Sequence, residues 1–91
     1  MLIDYDPQKN NRNIQERALP FDRARDFDFE TALFSLDERK DYGETRVHAI
    51  GFLGERLHVL LFVEIRGGIR VISFRKANRR EVKRYEQATQ P

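Results

Sequence analysis

Cysteine is absent from the chain, which excludes a disulfide framework and a thiolate metal site and fits a reducing cytoplasm. His48 and His58 are the only histidines, so a compact His/Cys cluster for zinc is missing too. Long apolar runs are also lacking. The longest uncharged one, Val59 to Val63, is far below the roughly 18 residues that span a bilayer. Met1 to Asp6 is neither basic nor apolar enough for a signal peptide. There is no Gly-x-Ser-x-Gly turn, Ser35 and Ser73 fall in strand contexts, and Gly67-Gly68 leads into a continuing strand. Neither an activated serine nor a phosphate loop is therefore read. The expectation is one soluble, cytoplasmic domain over residues 1–91 with a modest core, without membrane contact, cofactor or metal.

Charge is plentiful but unevenly placed. Residues 1–65 carry nine Lys/Arg against thirteen Asp/Glu, a net of −4, whereas residues 66–91 carry eight against two, a net of +6. The basic excess gathers where a strand hands over to a helix. Residues 70 to 75 alternate, placing Ile72 and Phe74 on one face and Val71, Ser73 and Arg75 on the other. Asn78 is a good N-cap, and Glu81 three residues on can complete a capping box. Arg75, Lys76, Arg79 and Arg80 lie around that helix start. Unpaired N–H groups and the helix dipole favour anions there, and guanidinium forks match phosphate oxygens. These four cations predict an anion-binding corner for a polyphosphate such as RNA, although a solvated basic helix is the plainer reading of the same charge.

Earlier in the chain, Leu2-Ile3-Asp4-Tyr5 is a short strand candidate. Asp6-Pro7 then starts a helix that runs to about Arg17, with Ile14 as its only large aliphatic residue, so it should lie on the surface. Pro20 opens a second short helix in which Phe21, Ala24 and Phe27 are spaced to face the core. Residues 26 to 44 are acidic; they hold a plausible edge strand, Ala32 to Leu36, and then a polar loop. Their carboxylates lack the fixed spacing of a calcium site, which favours solvation over metal binding.

From Thr45 the pattern is a meander of three strands, turning at Gly54-Glu55 and at Gly67-Gly68. With two-residue loops, Leu53 faces Arg56 and Arg66 faces Ile69. One face then collects Ile50, Phe52, Leu57, Val59, Leu61, Val63, Ile65, Ile72 and Phe74 as the core. The other is mixed and brings Glu64, Ser73 and Arg75 close together. A closing helix from Asn78 turns Val82 and Tyr85 inward and Lys83 and Arg84 outward. The architecture predicted is α+β: two helices, an antiparallel sheet of about four strands and a C-terminal helix.

RNA cleavage through the 2′-hydroxyl suits such a chain, because the substrate supplies the nucleophile. The protein must only orient it, accept and donate protons and neutralise charge. Glu64, His48, Lys76 and Tyr85 are the possible proton handlers, and Arg75, Arg79 and Arg80 the possible phosphate clamps. Each has a plainer reading. For Glu64 it is a structural ion pair with the arginines, for His48 a hydrogen-bonded structural histidine, and for Tyr85 a core residue of its helix.

Several stretches resemble the BrnT toxins of bacterial type II toxin–antitoxin systems. They are Tyr5-Asp6-Pro7 with Lys9 and Asn13, then Phe21 and Ala24, then Tyr42-Gly43-Glu44 with Arg46 and Ala49-Ile50-Gly51. The most specific run is Ile69-Arg70-Val71-Ile72-Ser73 through Arg75-Lys76-Ala77, Arg79-Arg80-Glu81 and Tyr85-Glu86. The chain has Val63-Glu64-Ile65-Arg66 where the family often has Thr-Glu-Arg, and Arg17-Ala18 where His-Gly is usual. The resemblance implies a RelE-like fold, a ribonuclease that stops translation, and neutralisation by a BrnA antitoxin. It also implies promoter binding only through the toxin–antitoxin complex.

Combining residues and resemblance, the expected activity is a metal-independent endoribonuclease. Arg75, Arg79 and Arg80 hold phosphates, Arg70 and Lys76 support them, and Glu64 orients or deprotonates the 2′-hydroxyl, with His48 behind it. The competing expectation is a non-catalytic module that binds nucleic acid or an acidic protein segment.

Overall fold

The computed structural model describes residues 1–90, whose elements follow the order β1 (Leu2–Tyr5), α1 (Pro7–Arg17), a 3-10 helix (Phe21–Asp26), β2 (Leu33–Leu36), β3 (Val47–Leu53), β4 (Arg56–Ile65), β5 (Gly68–Lys76) and α2 (Arg79–Thr89). The architecture is α+β, as expected, but the sheet has five strands in the order β1-β5-β4-β3-β2 and is mixed. Strand β1 supplies the difference, pairing with β5 in parallel, Leu2 opposite Gly68. Nothing in a four-residue strand announces a partner so far along the chain. Gly68 makes the pairing possible, because a Cβ there would sit 1.9 Å from the Leu2 carbonyl oxygen.

The first hairpin has the predicted register, with Leu53 opposite Arg56. The second does not. Ile65 faces Gly68, so the turn is Arg66-Gly67, one residue earlier than read, with Gly67 supplying the positive φ of 83°. A bulge follows: Phe62 faces Val71 while Leu61 faces Ser73, leaving Ile72 as an extra residue on β5. This bulge switches the alternation, so Phe74 joins Val71 on one side, and Ser73 and Arg75 turn to the other.

The predicted single core face is therefore replaced by two half-cores, one on each side of the sheet. Ala49, Leu53, Leu60, Phe62, Val71 and Phe74 pack against Leu19, Phe21, Ala24 and Phe27 beneath α1 and the 3-10 helix. Ile50, Leu57 and Val59 pack against Ala77 and Tyr85 on the α2 side. Phe21, Ala24 and Phe27 face the core as their spacing predicted.

Helix α1 follows its caps more than its apolar residues. The Asp6 carboxylate accepts from the Gln8 N–H at 2.9 Å, and Pro7 occupies the first turn. Ile14 is exposed, as expected of a surface helix, and the buried residue is Asn13. Its Nδ2 donates to the carbonyls of Leu19 (2.8 Å) and Phe74 (2.9 Å), which fastens the helix to β5. Ala18 closes α1 in the left-handed region at φ 53°, donating its N–H to the Ile14 carbonyl. A left-handed residue closing a helix is usually glycine, and an L-residue here is strained. Ala18→Gly is expected to raise the unfolding free energy by about 0.5–1 kcal/mol in urea denaturation; a destabilised variant would mean that Ala18 is not strained.

Candidate active site

On the α2 side of the sheet a hollow of about 440 Å³ opens between β2 and the start of α2. Its chemistry comes from His48, Ser73, Arg75, Glu81 and Arg84, with Ser35, Asp37 and Arg39 on the β2 side. Three local features bring these groups together. Strand β3 turns His48 to the same side as Ile50. The bulge at Ile72 turns Ser73 and Arg75 to that side as well. The capping box then fixes Glu81: its backbone N–H donates to the Asn78 side chain at 2.9 Å, and its carboxylate accepts from the Asn78 N–H at 2.8 Å.

The Glu81 carboxylate also takes a bidentate pair of hydrogen bonds from Arg75, Nη1 to Oε1 at 2.8 Å and Nη2 to Oε2 at 2.9 Å. Glu81 is buried, with 7% of its surface exposed, while the Arg75 side chain is one-third exposed. The guanidinium is thus held from behind and presents its remaining edge to the hollow. The Arg75 hydrogen bonds, together with the Asn78 N–H, hold the Glu81 carboxyl down to about 2 against burial, which acts the other way. Glu81 in turn raises Arg75.

The His48 ring makes no hydrogen bond among the described residues, so the expectation of a hydrogen-bonded structural histidine is not met. Burial lowers its pKa below the usual 6.5, and Arg84 and Arg75 add to this, while Glu81 and Asp37 oppose them. The shift favours the neutral ring, which has a lone pair available.

The predicted cation corner does not exist as one corner. Arg75 lines the hollow, but Lys76 faces His58 on the opposite side of the sheet. Arg79 and Arg80 are exposed and line a separate depression with Asn78 and Lys83. The cause is geometric: successive strand residues alternate faces, which parts Arg75 from Lys76, and Arg79 and Arg80 sit on an exposed side of the first turn of α2. Glu64 is separated as well. It is exposed and faces Ile69, five residues along β4 from the Val59–Arg75 pair, about 17 Å at the usual rise. It also shares its strand parity with Leu60 and Phe62, on the face away from Arg75. Arg70 is committed to Glu44, whose carboxylate also accepts from Arg46 at 3.1 Å, and Arg46 stacks 3.9 Å over the Tyr42 ring. Tyr85 is a core residue, its hydroxyl donating to the Thr31 carbonyl at 3.0 Å.

The sequence reading left Glu81 and Arg84 out of the site; Arg84 is exposed, as expected, and still lines the hollow. Both had a signal. A glutamate that completes a capping box reaches back to the strand end, and Arg84 lies three residues on, on the same side of the helix. A larger hollow of about 810 Å³ lies on the opposite face, lined by Arg17, Arg23, His58, Lys76 and also by part of Arg75. The carbonyl end of α1 also opens on it, which disfavours anions. Cations and an imidazole line both hollows, and the α2-side one is the better candidate because the buried Glu81 carboxylate there fixes Arg75, while the His58 ring is engaged with the Arg56 carbonyl. No group of three or more His, Asp or Glu side chains that could hold a metal ion occurs among the described residues, and no helix is long and apolar enough to cross a membrane.

The Glu81 pair carries a pH signature. A depressed carboxylate contributes stability that is present above its unfolded value and lost as pH falls through the folded one. Stability should therefore fall from pH 4.5 towards about 2. Asp37, Glu44 and Asp28 are also held low by their partners, so the diagnostic quantity is the difference from Glu81→Gln. Urea denaturation should show a shallower acid loss in that variant; equal slopes would assign the loss elsewhere.

No curated protein and no solved structure matches the chain. Residues 5–81 match the family model of the ribonuclease toxin BrnT of type II toxin–antitoxin systems, and with most of the sequence covered the chain belongs to that family.

Proposed function

We propose that the hollow between β2 and α2 is the active site of a metal-independent endoribonuclease, and that its neutral histidine and paired arginines do the chemistry. In this reading His48 takes the proton of the ribose 2′-hydroxyl. The 2′-oxygen then bonds to phosphorus, and the bond from phosphorus to the 5′-oxygen breaks. The 5′-oxygen takes a proton from solvent, leaving a 2′,3′-cyclic phosphate and a 5′-hydroxyl. Arg75 and Arg84 neutralise the charge that builds on the equatorial oxygens. Glu81 is a positioning residue, because it touches Arg75 and not the RNA. One observation carries the proposal: Arg75, Arg84 and His48 line one hollow with the carboxylate that fixes Arg75.

The role given earlier to Glu64 passes to His48, since the fold keeps Glu64 far from Arg75. Arg79, Arg80 and Lys83 are exposed beside the helix start, where they can hold flanking phosphates, and Lys76 sits behind the sheet. Arg70 orders the Tyr42–Arg46 loop through Glu44. The same reading takes the fold as RelE-like, the compartment as the cytoplasm and the cellular effect as arrest of translation. The neutralising partner is then a BrnA-type antitoxin, with promoter DNA bound only through the complex.

Incubating the purified protein with RNA in a chelator should give fragments ending in cyclic phosphate. Arg75→Ala and His48→Gln should each slow cleavage by about 100-fold or more, with Glu64→Gln within about threefold. A base must be deprotonated to act, so the acid limb of the kcat/KM profile should lie below 6.5, the ordinary histidine value, and be lost in His48→Gln. RNA bound but left intact would favour the non-catalytic module. Cleavage undiminished in both variants would exclude this hollow.

A further inference from the structure

We propose that the free edge of β2 is where the toxin's protein antitoxin docks, by adding an extended strand to the sheet. Strand β2 is the outermost strand on its side, beside β3. The Asp37 N–H donates to the Arg46 carbonyl at 2.8 Å, which fixes the phase of the ladder. Leu33 and Ser35, in the same phase as Asp37, turn their backbone groups to β3. Phe34 and Leu36 turn their N–H and C=O groups outward, unpaired.

Soluble proteins usually blunt such an edge with charge, proline or a bulge. Leu33-Phe34-Ser35-Leu36 has none of these, and Phe34 and Leu36 are 47% and 57% exposed. The opposite edge is treated differently. Strand β1 carries Asp4 in its middle, the Tyr5 hydroxyl donates to Asp22, and Arg25 donates to the Met1 carbonyl. The unguarded edge is therefore specific to β2.

Charge selects the occupant. Residues 26–44 hold seven carboxylates against two cations, and Glu30, Glu38 and Asp41 stand exposed on either side of β2. A second copy pairing β2 with β2 antiparallel would bring two such segments against each other, each with five more carboxylates than cations, and their net charges repel even though Lys40 of one chain would stand opposite Glu30 of the other. A partner strand with alternating apolar residues and basic flanks fits both features. The chain belongs to a type II toxin–antitoxin family, so a protein antitoxin is the partner to which the edge is assigned.

The position also has a consequence for activity. Ser35 and Leu36 of β2, with Asp37 just beyond, form one wall of the hollow. A strand laid along the outer edge would extend that wall and narrow the approach of an RNA chain. This consequence rests on the active-site reading above, whereas the docking itself does not.

The test is hydrogen exchange of the full chain, alone and in complex with its antitoxin, without RNA. In the free toxin the Phe34 and Leu36 amides should exchange quickly and the Leu33 and Ser35 amides slowly. In the complex the two outward amides should slow by about tenfold or more. Phe34→Pro removes one outward N–H without touching the β3 ladder, and Phe34 lies outside the hollow. It should weaken antitoxin binding by about tenfold or more while RNA cleavage stays at the wild-type rate. Phe34→Lys keeps the backbone intact and should also weaken binding, so a misfolded proline variant cannot decide the matter. Unchanged exchange at Phe34 and Leu36 in the complex overturns the proposal. Protection that grows with toxin concentration in the absence of antitoxin overturns it in favour of a second copy. A toxin that never cleaves RNA but shows the protected amides would leave the docking standing and remove the active-site reading alone.

Discussion

The two parallel hydrogen bonds between Arg75 and Glu81 join the end of β5 to the first turn of α2. The same carboxylate closes the capping box on Asn78, so one buried side chain terminates a strand, starts a helix and aims a cation. Removing it would leave the Arg75 charge without its partner in a half-buried setting, which costs more than the pair itself contributes. Arg75 is presented already oriented, so little ordering entropy has to be lost when an anion arrives.

That arrangement depends on one extra residue. Without the bulge at Ile72, alternation along β5 would carry Arg75 to the side of the sheet where α1 packs, and Phe74 to the α2 side. Instead Phe74 is fully buried against Phe27, and its carbonyl is held by Asn13. The bulge thus serves packing on one face and the site on the other. A buried amide on an otherwise polar helix is the visible sign that the register is pinned there.

Much of the fold could be read directly. The caps Asp6-Pro7 and Asn78 to Glu81 located both helices, and Gly54 located a hairpin, because each feature states its geometry locally. The parallel partner of β1, the turn at Arg66-Gly67 and the bulge were not legible, since each is decided by distant packing. The candidate site suffered accordingly. Cations close in sequence were read as close in space, yet strand alternation and helix rotation separate Arg75 from Lys76, Arg79 and Arg80. His48 enters the hollow from a position far from Arg75 in sequence, and Arg84 lines it while remaining exposed, as expected. Glu81 was recognised for its cap and not for its ion pair. Membership of the BrnT family was legible from ordered short motifs even though the positions of their side chains were not.

The wider arrangement places distinct roles on distinct faces. The α1 side of the sheet is closed by aromatic packing, with Phe27 edge-on to Phe29 and Phe74. The α2 side keeps its apolar contacts at one end, through Phe52 and Tyr85, and leaves the other open for polar groups. The acidic stretch between β2 and β3 is ordered by its own arginines, Arg39 on Asp37 and Arg46 on Glu44. Acidic segments therefore flank a site built from cations while their carboxylates are held by other arginines.

The most direct measurement is a magnetic-resonance titration of isotope-labelled protein with a short RNA carrying a single 2′-deoxy substitution at the cleavage position, which binds without reacting. The account predicts shifts of the Arg75 and Arg84 guanidinium signals and of the His48 ring. Shifts confined to Arg79, Arg80 and Lys83, or to Arg17 and His58 on the far face, would contradict it.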